Sequence, residues 1–191
     1  MSQEKFNVVL SKIEHLLSHS TKRNFALTPK QQLVVALHWL GSGMQYHCAG
    51  DMHGISKATV CRCVPRVVKA INQTMLRYIV CWPHDVGQVI SEFNAIADMP
   101  LVCGAVDGTL IKIDAPHGYE AAFVDRHGNH SINITLVCGP TLMFYYVCAN
   151  WPGSVSDARV LRNSSVYLRM EAGWRPFSGS VLLCDSIYPL K

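Results

Sequence analysis

Apolar side chains recur at steps of three and four along the first third of the chain and then give way to strand-like runs. Two kinds of structure are therefore expected in succession. Phe6, Val9, Leu10, Ile13, Leu16 and Leu17 mark one face of a first amphipathic helix. Thr28-Pro29 opens a second helix, with threonine as the cap and proline in the first turn. Leu33, Val34, Leu37 and Leu40 carry it inward to a stop at Gly41-Ser-Gly43. A short helix over roughly residues 44–52 precedes Gly54. Ser56 then caps a fourth helix, whose inward positions are Val60, Val64, Val67, Val68, Ile71 and Met75. Pro65 falls inside that pattern and is expected to kink the helix or mark a boundary.

The pattern changes near residue 82. Trp82-Pro83 and Asp98-Met-Pro100 bracket a short helix, after which strands are expected over 101–113, 130–138, 142–150 and 180–184. His127-Gly128 and Gly139-Pro140 supply turns. Between the third and fourth strands, Asp157 opens a helical stretch through Val160 and Leu161, as far as Met170. Three strands able to form a meander, then a helix, then a further strand is an α/β order. The division expected is an all-α region over 1–98 and an α/β domain over 99–191. No internal repeat and no low-complexity tract interrupts this plan.

Charge adds a second asymmetry. The first 80 residues carry ten Lys and Arg against three acids, and the remainder carries seven against ten. A basic front suits polyanion contact and an acidic back suits a held cation. On the fourth helix, Arg62, Arg66 and Lys69 line the face opposite the apolar one, with Lys57 near its start. A short helix, a glycine-containing turn, a capped second helix and a basic stripe together describe a helix-turn-helix. A plain helical bundle with a solvated charged face would show the same pattern.

Composition excludes other classes. Apolar residues make up 49% and charged residues 16%, which favours a packed core over disorder. The amino terminus has no apolar signal-peptide core, and no apolar run reaches the ~18 residues of a membrane span. A soluble, intracellular protein is expected. The eight cysteines include no C-x-x-C pair, so reduced, buried thiols are expected in place of a zinc site or a disulfide framework. Cys48 with His53, or Cys61 with Cys63, is the weaker, metal-binding alternative.

Two aspartates stand out because the runs around them read as buried strand. Asp107 interrupts residues 101–113, and Asp185 follows Val181-Leu-Leu-Cys184. Aspartate is disfavoured in strands and rarely fully buried without a cation or donor to compensate it. Two such residues on strands of one sheet would make a cation site. Each has a plainer reading: Asp107 with Gly108 as a bulge or turn, Asp185 as the cap of a turn with Ser186 and Tyr188, and Asp157 as a helix cap. Asp114 and Asp125 occupy turn-like positions and read as structural.

Four stretches in order resemble the PIF/Harbinger superfamily of transposases and the nucleases derived from them. They are Gly104-Ala-Val-Asp-Gly-Thr109, His130-Ser-Ile-Asn-Ile134, the run from Trp151 to Ser164, and Asp185-Ser-Ile-Tyr-Pro-Leu190. Upstream, Gly54-Ile-Ser-Lys-Ala-Thr-Val60 resembles the helix-turn-helix that precedes the nuclease in that family. The resemblance extends from about residue 40 to the last residue. It implies an RNase H-like nuclease core of the DDE type, acting on double-stranded DNA phosphodiester bonds with divalent metal, Mg²⁺ or Mn²⁺.

Carried over by position, the resemblance makes Asp107 and Asp185 the catalytic acids and metal ligands, with Asp157 a further metal carboxylate. Lys57, Thr59, Arg62, Arg66 and Lys69 become the DNA-contacting residues. The pattern also departs from the family. Its glutamate lies downstream of the Asp185 motif and so beyond Lys191, Cys184 and Ile187 replace glycines beside the second acid, and Glu171 reads as a surface residue. The expectation is therefore an incomplete core with the third acid absent. A catalytically inactive, transposase-derived DNA-binding protein is the alternative. A nuclear location is implied, with the cytoplasm also open, and a homo-oligomer or an accessory DNA-binding protein stays open as a partner.

Overall fold

The computed structural model describes residues 1–19 and 26–188, which separate into two compact units, 1–78 and 79–191. The sequence expectation set the change of organisation at residue 98. The boundary lies earlier because the helix Val86–Ala97 packs its Val89 and Phe93 against Val102 of the first strand. That helix therefore belongs with the sheet.

The first unit contains α1 (Gln3–Leu17), α2 (Pro29–Ser42), α3 (Tyr46–His53) and α4 (Lys57–Ile71), followed by a π-turn over Asn72–Leu76. Hydroxyls cap three of these helices. Ser2 accepts from the Lys5 N–H, Thr28 and Gln31 form a reciprocal capping box, and Ser56 accepts from the Thr59 N–H at 3.2 Å. The α3–α4 turn needs Gly54 in the left-handed region, at φ 64°, where a side chain is strained. Ile13, Leu17, Leu33, Ala36, Ala49, Val60 and Val67 are fully buried together. Each larger aliphatic among them contributes ~1.5–3 kcal/mol of burial. The sequence expected Val34 and Leu40 to point inward, yet Val34 is 38% exposed and Leu40 51% exposed, while Val35 is buried. Pro65 does not end α4. It sits on the exposed face, as does Cys61 one turn earlier, whose carbonyl has no N–H to accept from at the proline.

The second unit begins in the short helix α5 (Arg77–Ile79) and continues through α6 (Val86–Ala97). Then follow β1 (Val102–Lys112), α7 (Glu120–Phe123), β2 (Ser131–Cys138), β3 (Phe144–Pro152), α8 (Asp157–Arg162), α9 (Ser165–Glu171) and β4 (Val181–Cys184). The sheet order is β3-β2-β1-β4, with the first three strands antiparallel in a meander and β4 parallel to β1. The parallel pairing requires a crossover, which α8 and α9 supply. This mixed α/β arrangement is the RNase H-like core. The helical stretch after Asp157 is interrupted at Asn163-Ser164, and the Ser164 hydroxyl caps α9 by accepting from the Tyr167 N–H.

One face of the sheet is covered. Val106 and Val137 pack there with Tyr145, Leu161, Val166 and Tyr188. Strand alternation sends Ala105, Asp107, Thr109 and Ile111 to the other face, and each of them is exposed. The apolar run around Asp107 thus lies half on an open face, which corrects the expectation that this aspartate is buried. The thiols need a similar correction. All eight are free, but only Cys63 and Cys103 are buried, and Cys61 and Cys184 are exposed.

Candidate metal centre and nucleic-acid surfaces

β1 and β4 run parallel with Val106 opposite Cys184. The next residues along are therefore neighbours across the pair: Asp107 in the middle of β1 and Asp185 just past the end of β4. Parallel neighbours in register project to the same side of a sheet, so this register directs both carboxylates to the open face, where β4 ends alongside the middle of β1. Asp107 Oδ1 accepts the Gly108 N–H at 2.8 Å. Asp185 Oδ1 accepts from the Ser186 N–H and from the Ser186 hydroxyl, and its carbonyl receives the Tyr188 N–H at 3.1 Å. Asp185 thus holds its own turn and also presents its carboxylate beside Asp107.

Asp157 arrives by a different route. It is the first residue of α8, after the N-cap Ser156, whose hydroxyl makes no capping bond. Asn133 Nδ2 donates to Asp157 Oδ1 at 2.7 Å and to the Val155 carbonyl at 2.7 Å. Gly108 pairs with Thr135, on the same side of the sheet as Asn133, and its missing side chain makes room for the acid. A Cβ at Gly108 would lie 2.5 Å from Asp157 Cγ. Asp107 and Asp157 therefore approach β1 from opposite faces, one residue apart. Gly108 is no bulge: the β1–β2 register runs unbroken through it.

One buried group senses all three acids. Tyr188 is 2% exposed, and its hydroxyl has no hydrogen-bond partner. Burial pushes that phenol well above its ordinary value, and the negative charges of Asp157, Asp107 and Asp185 push it further the same way. Tyr188 therefore stays neutral. Among the described residues, no three His, Cys, Asp or Glu side chains gather into a set that could enclose a metal ion. The candidate donors are thus Asp107 in the middle of β1, Asp185 just past β4, and Asp157 behind Gly108.

The basic residues of α4 separate into two groups. Lys57, Arg62 and Lys69 are exposed, and Thr59 is half-buried with its Oγ1 2.9 Å from Ser56 Oγ. Arg66 is committed elsewhere. Its Nη2 donates to the Leu16 and Ser18 carbonyls at 3.3 and 3.2 Å, and its Nη1 lies 3.2 Å from His19 Nε2. The guanidinium thus ties down the C-terminal end of α1, which leaves carbonyls without helical donors. The thiol and imidazole pairs suggested by sequence do not form a site: His53 Nε2 meets His38 Nδ1 at 3.0 Å, and Cys48 meets its neighbour His47.

Asp125, read as structural, is so. Its Oδ1 accepts the N–H groups of His127 and Asn129 at 2.8 and 3.0 Å. Burial works against the ionised form, but the backbone N–H bonds from Asn129 and His127 help outweigh it and hold the carboxyl below its usual range. Sequence reasoning missed Asn133 and Tyr188. Asparagine at a buried position within an apolar strand was a usable signal, since it needs a polar partner there. The sequence marks Tyr188 only as part of the turn after Asp185; its burial near the three acids has no local signal.

Residues 106–191 match a family model described as DDE superfamily endonuclease. Among curated proteins, the human protein named "Putative nuclease HARBI1" is 36% identical over 178 residues, covering 92% of this chain and 50% of that protein. The chain belongs to the Harbinger transposase-derived DDE endonuclease family. The Xenopus laevis protein of the same name is 34% identical over 183 residues, again covering 92% of this chain and 50% of that protein. "Protein ALP1-like" of Arabidopsis thaliana is 32% identical over 151 residues, 78% of this chain and 37% of that protein. The chain spans about half the length of the curated family members it matches. No solved structure gives a significant match. Within this DDE endonuclease family, Asp107 and Asp185 belong to the stretch that the family model covers.

Proposed function

We propose that the chain is the helical and catalytic-core portion of a divalent-metal-dependent DNA endonuclease, in which Asp107 and Asp185 hold the metal. The observation that supports this reading is the β1–β4 register, which pairs Val106 with Cys184 and so makes Asp107 and Asp185 the next residues along neighbouring strands. Their donor chemistry fits the ion. Carboxylate oxygens suit a hard cation such as Mg²⁺ or Mn²⁺, and such ions keep several waters, so two protein ligands suffice to seat one. A bound metal would supply a lowered pKa for the attacking water and charge neutralisation on the phosphoryl oxygens.

The side chains divide the remaining work. Asp157, fixed by Asn133, adds negative charge behind Gly108 and serves as a further metal carboxylate or as a base for a ligated water. Lys57, Thr59, Arg62 and Lys69 contact the duplex from α4, with phosphate contacts giving affinity and the residues at the helix start reaching base edges. A double-stranded DNA substrate places the protein's work in the nucleus.

A second reading is a DNA-binding protein without catalysis, favoured by the lack of an enclosing three-ligand set among the described residues. A Mn²⁺ titration followed by thermal melting separates the two. Saturation at 100 times Kd stabilises by about 2.7 kcal/mol, a rise of several degrees in Tm. We expect that rise in the wild type and its loss in Asp107→Asn. No rise in the wild type, with salt-sensitive duplex binding retained, would leave the non-catalytic reading.

A further inference from the structure

The strand order β3-β2-β1-β4 makes β3 one edge of the sheet. Among the described residues, the backbone of 144–151 is hydrogen-bonded to β2 alone, so its outward N–H and C=O groups have no partner. Such a row of groups is a template for another strand, and proteins ordinarily blunt it with charge, proline or extreme shortness. β3 uses none of these devices along its length. It has nine residues, its proline is the last of them, and no Asp, Glu, Lys or Arg occurs between His130 and Asp157. The opposite edge is protected: β4 has four residues and is followed at once by Asp185.

The side chains along this edge are those of a contact surface. Phe144, Val147, Ala149 and Asn150 are exposed, and the hairpin leading into the strand presents Leu142, 81% exposed, and Met143. The absence of charge decides which partner fits. A charged foreign segment would find no ion-pair partner on β3, whereas two copies of β3 meet without repulsion. Antiparallel pairing of a strand with itself is also two-fold symmetric, so each contact is made twice. A pairing centred on Cys148 sets Val147 opposite Ala149 of the second copy and Phe144 opposite Pro152 of the second copy. Stacking of two open faces is the poorer alternative, because it would press the Asp107 and Asp185 carboxylates of both copies together.

We propose that β3 is a self-association edge, at which two copies join β3 to β3 antiparallel and extend the sheet from four strands to eight. The proposal goes beyond the nuclease reading and does not depend on it. An antiparallel join turns the second copy about an axis perpendicular to the sheet, so the two open faces lie on the same side. Five strand spacings then separate the two β1 strands, a distance of about 24 Å. The dimer therefore carries two Asp107–Asp185 pairs that face the same way.

The test is sedimentation velocity on the full chain. At high micromolar concentration the wild type should sediment at twice the mass of one chain and dissociate on dilution. Val147→Lys/Ala149→Lys sets lysine opposite lysine, and like charges directly opposite destabilise a strand pair, so this variant should sediment as one chain. Val147→Glu/Ala149→Glu should do the same. Both positions are exposed, so each variant should keep the wild-type far-UV spectrum. Mixed in equal amounts, the two variants should recover the dimer, because lysine then faces glutamate. Ile111→Lys, on the open face but two strands from this edge, should leave the dimer intact. A one-chain mass for the wild type overturns the proposal and leaves the edge to a foreign strand. A dimer that survives in the lysine variant overturns it by placing the interface elsewhere, and loss of the dimer in Ile111→Lys overturns it in favour of face-to-face packing. A mixture that stays at one-chain mass also overturns it, since the variants would then have damaged the strand and not opposed charges across a β3 pair.

Discussion

Gly108 shows how much one missing side chain decides. The sequence presents it only as the partner of Asp107 in an Asp-Gly pair, a combination typical of turns. In the sheet it is an ordinary paired residue whose lack of a Cβ admits the Asp157 carboxylate. Asp157 cannot swing aside, because Asn133 grips it at 2.7 Å and Asn133 is itself anchored to Val155. Gly108→Ala should therefore destabilise the second unit by about 1–3 kcal/mol, the range for overpacking a fixed site. Urea denaturation would show a lower midpoint with an unchanged m-value. Asn133→Ala in the same background should relieve part of the clash, giving less than additive loss in a double-mutant cycle. Asp107, by contrast, was legible from sequence as an unusual residue in a strand. What the sequence misjudged was its environment: the open face of the sheet keeps it hydrated.

At the scale of elements, helix starts were the best-determined features. Thr28-Pro29 and Ser56 announced α2 and α4 because a hydroxyl oxygen at that position accepts an orphan N–H, and both do so. Ser56→Ala should cost about 1 kcal/mol and lower the Tm of the helical unit by a few degrees in a circular-dichroism melt, whereas Ser56→Asp should hold the wild-type Tm. Strand positions also followed the pattern closely: each of the four expected runs holds one strand, except that β3 extends two residues past its run, to Pro152. Helix faces were less certain. α2 contains the unbroken apolar run Leu33-Val-Val-Ala-Leu37, which gives two adjacent faces the same hydrophobicity. Packing against α1 and α4 then selected Val35 and left Val34 exposed. Arg66 makes the same point for charge. It lies on the basic stripe by periodicity, but the α1 carbonyls within its reach are a better partner than water.

At the scale of the molecule, two units arise because each has its own apolar cluster. The helices close around Ile13, Leu33, Val60 and Val67, and the sheet closes with α8 and α9 around Val106, Val137, Leu161 and Val166. A cluster complete within 78 residues should support independent folding. A protein comprising residues 1–78 should give a helical far-UV spectrum and a single cooperative melt. A featureless spectrum would show that this core depends on the rest of the chain. No helix among the described residues is long and apolar enough to cross a membrane. The sequence by itself determined the order of helices and strands, the caps and the two strand acids, because each depends on a period or on a bond to a near neighbour. Tertiary structure alone decided which face of the sheet stays open, that Asp157 lodges behind Gly108, that Tyr188 is buried near three acids and that Arg66 is spoken for. Those outcomes depend on strand register and on residues 20 to 80 positions apart, where no local pattern carries the information.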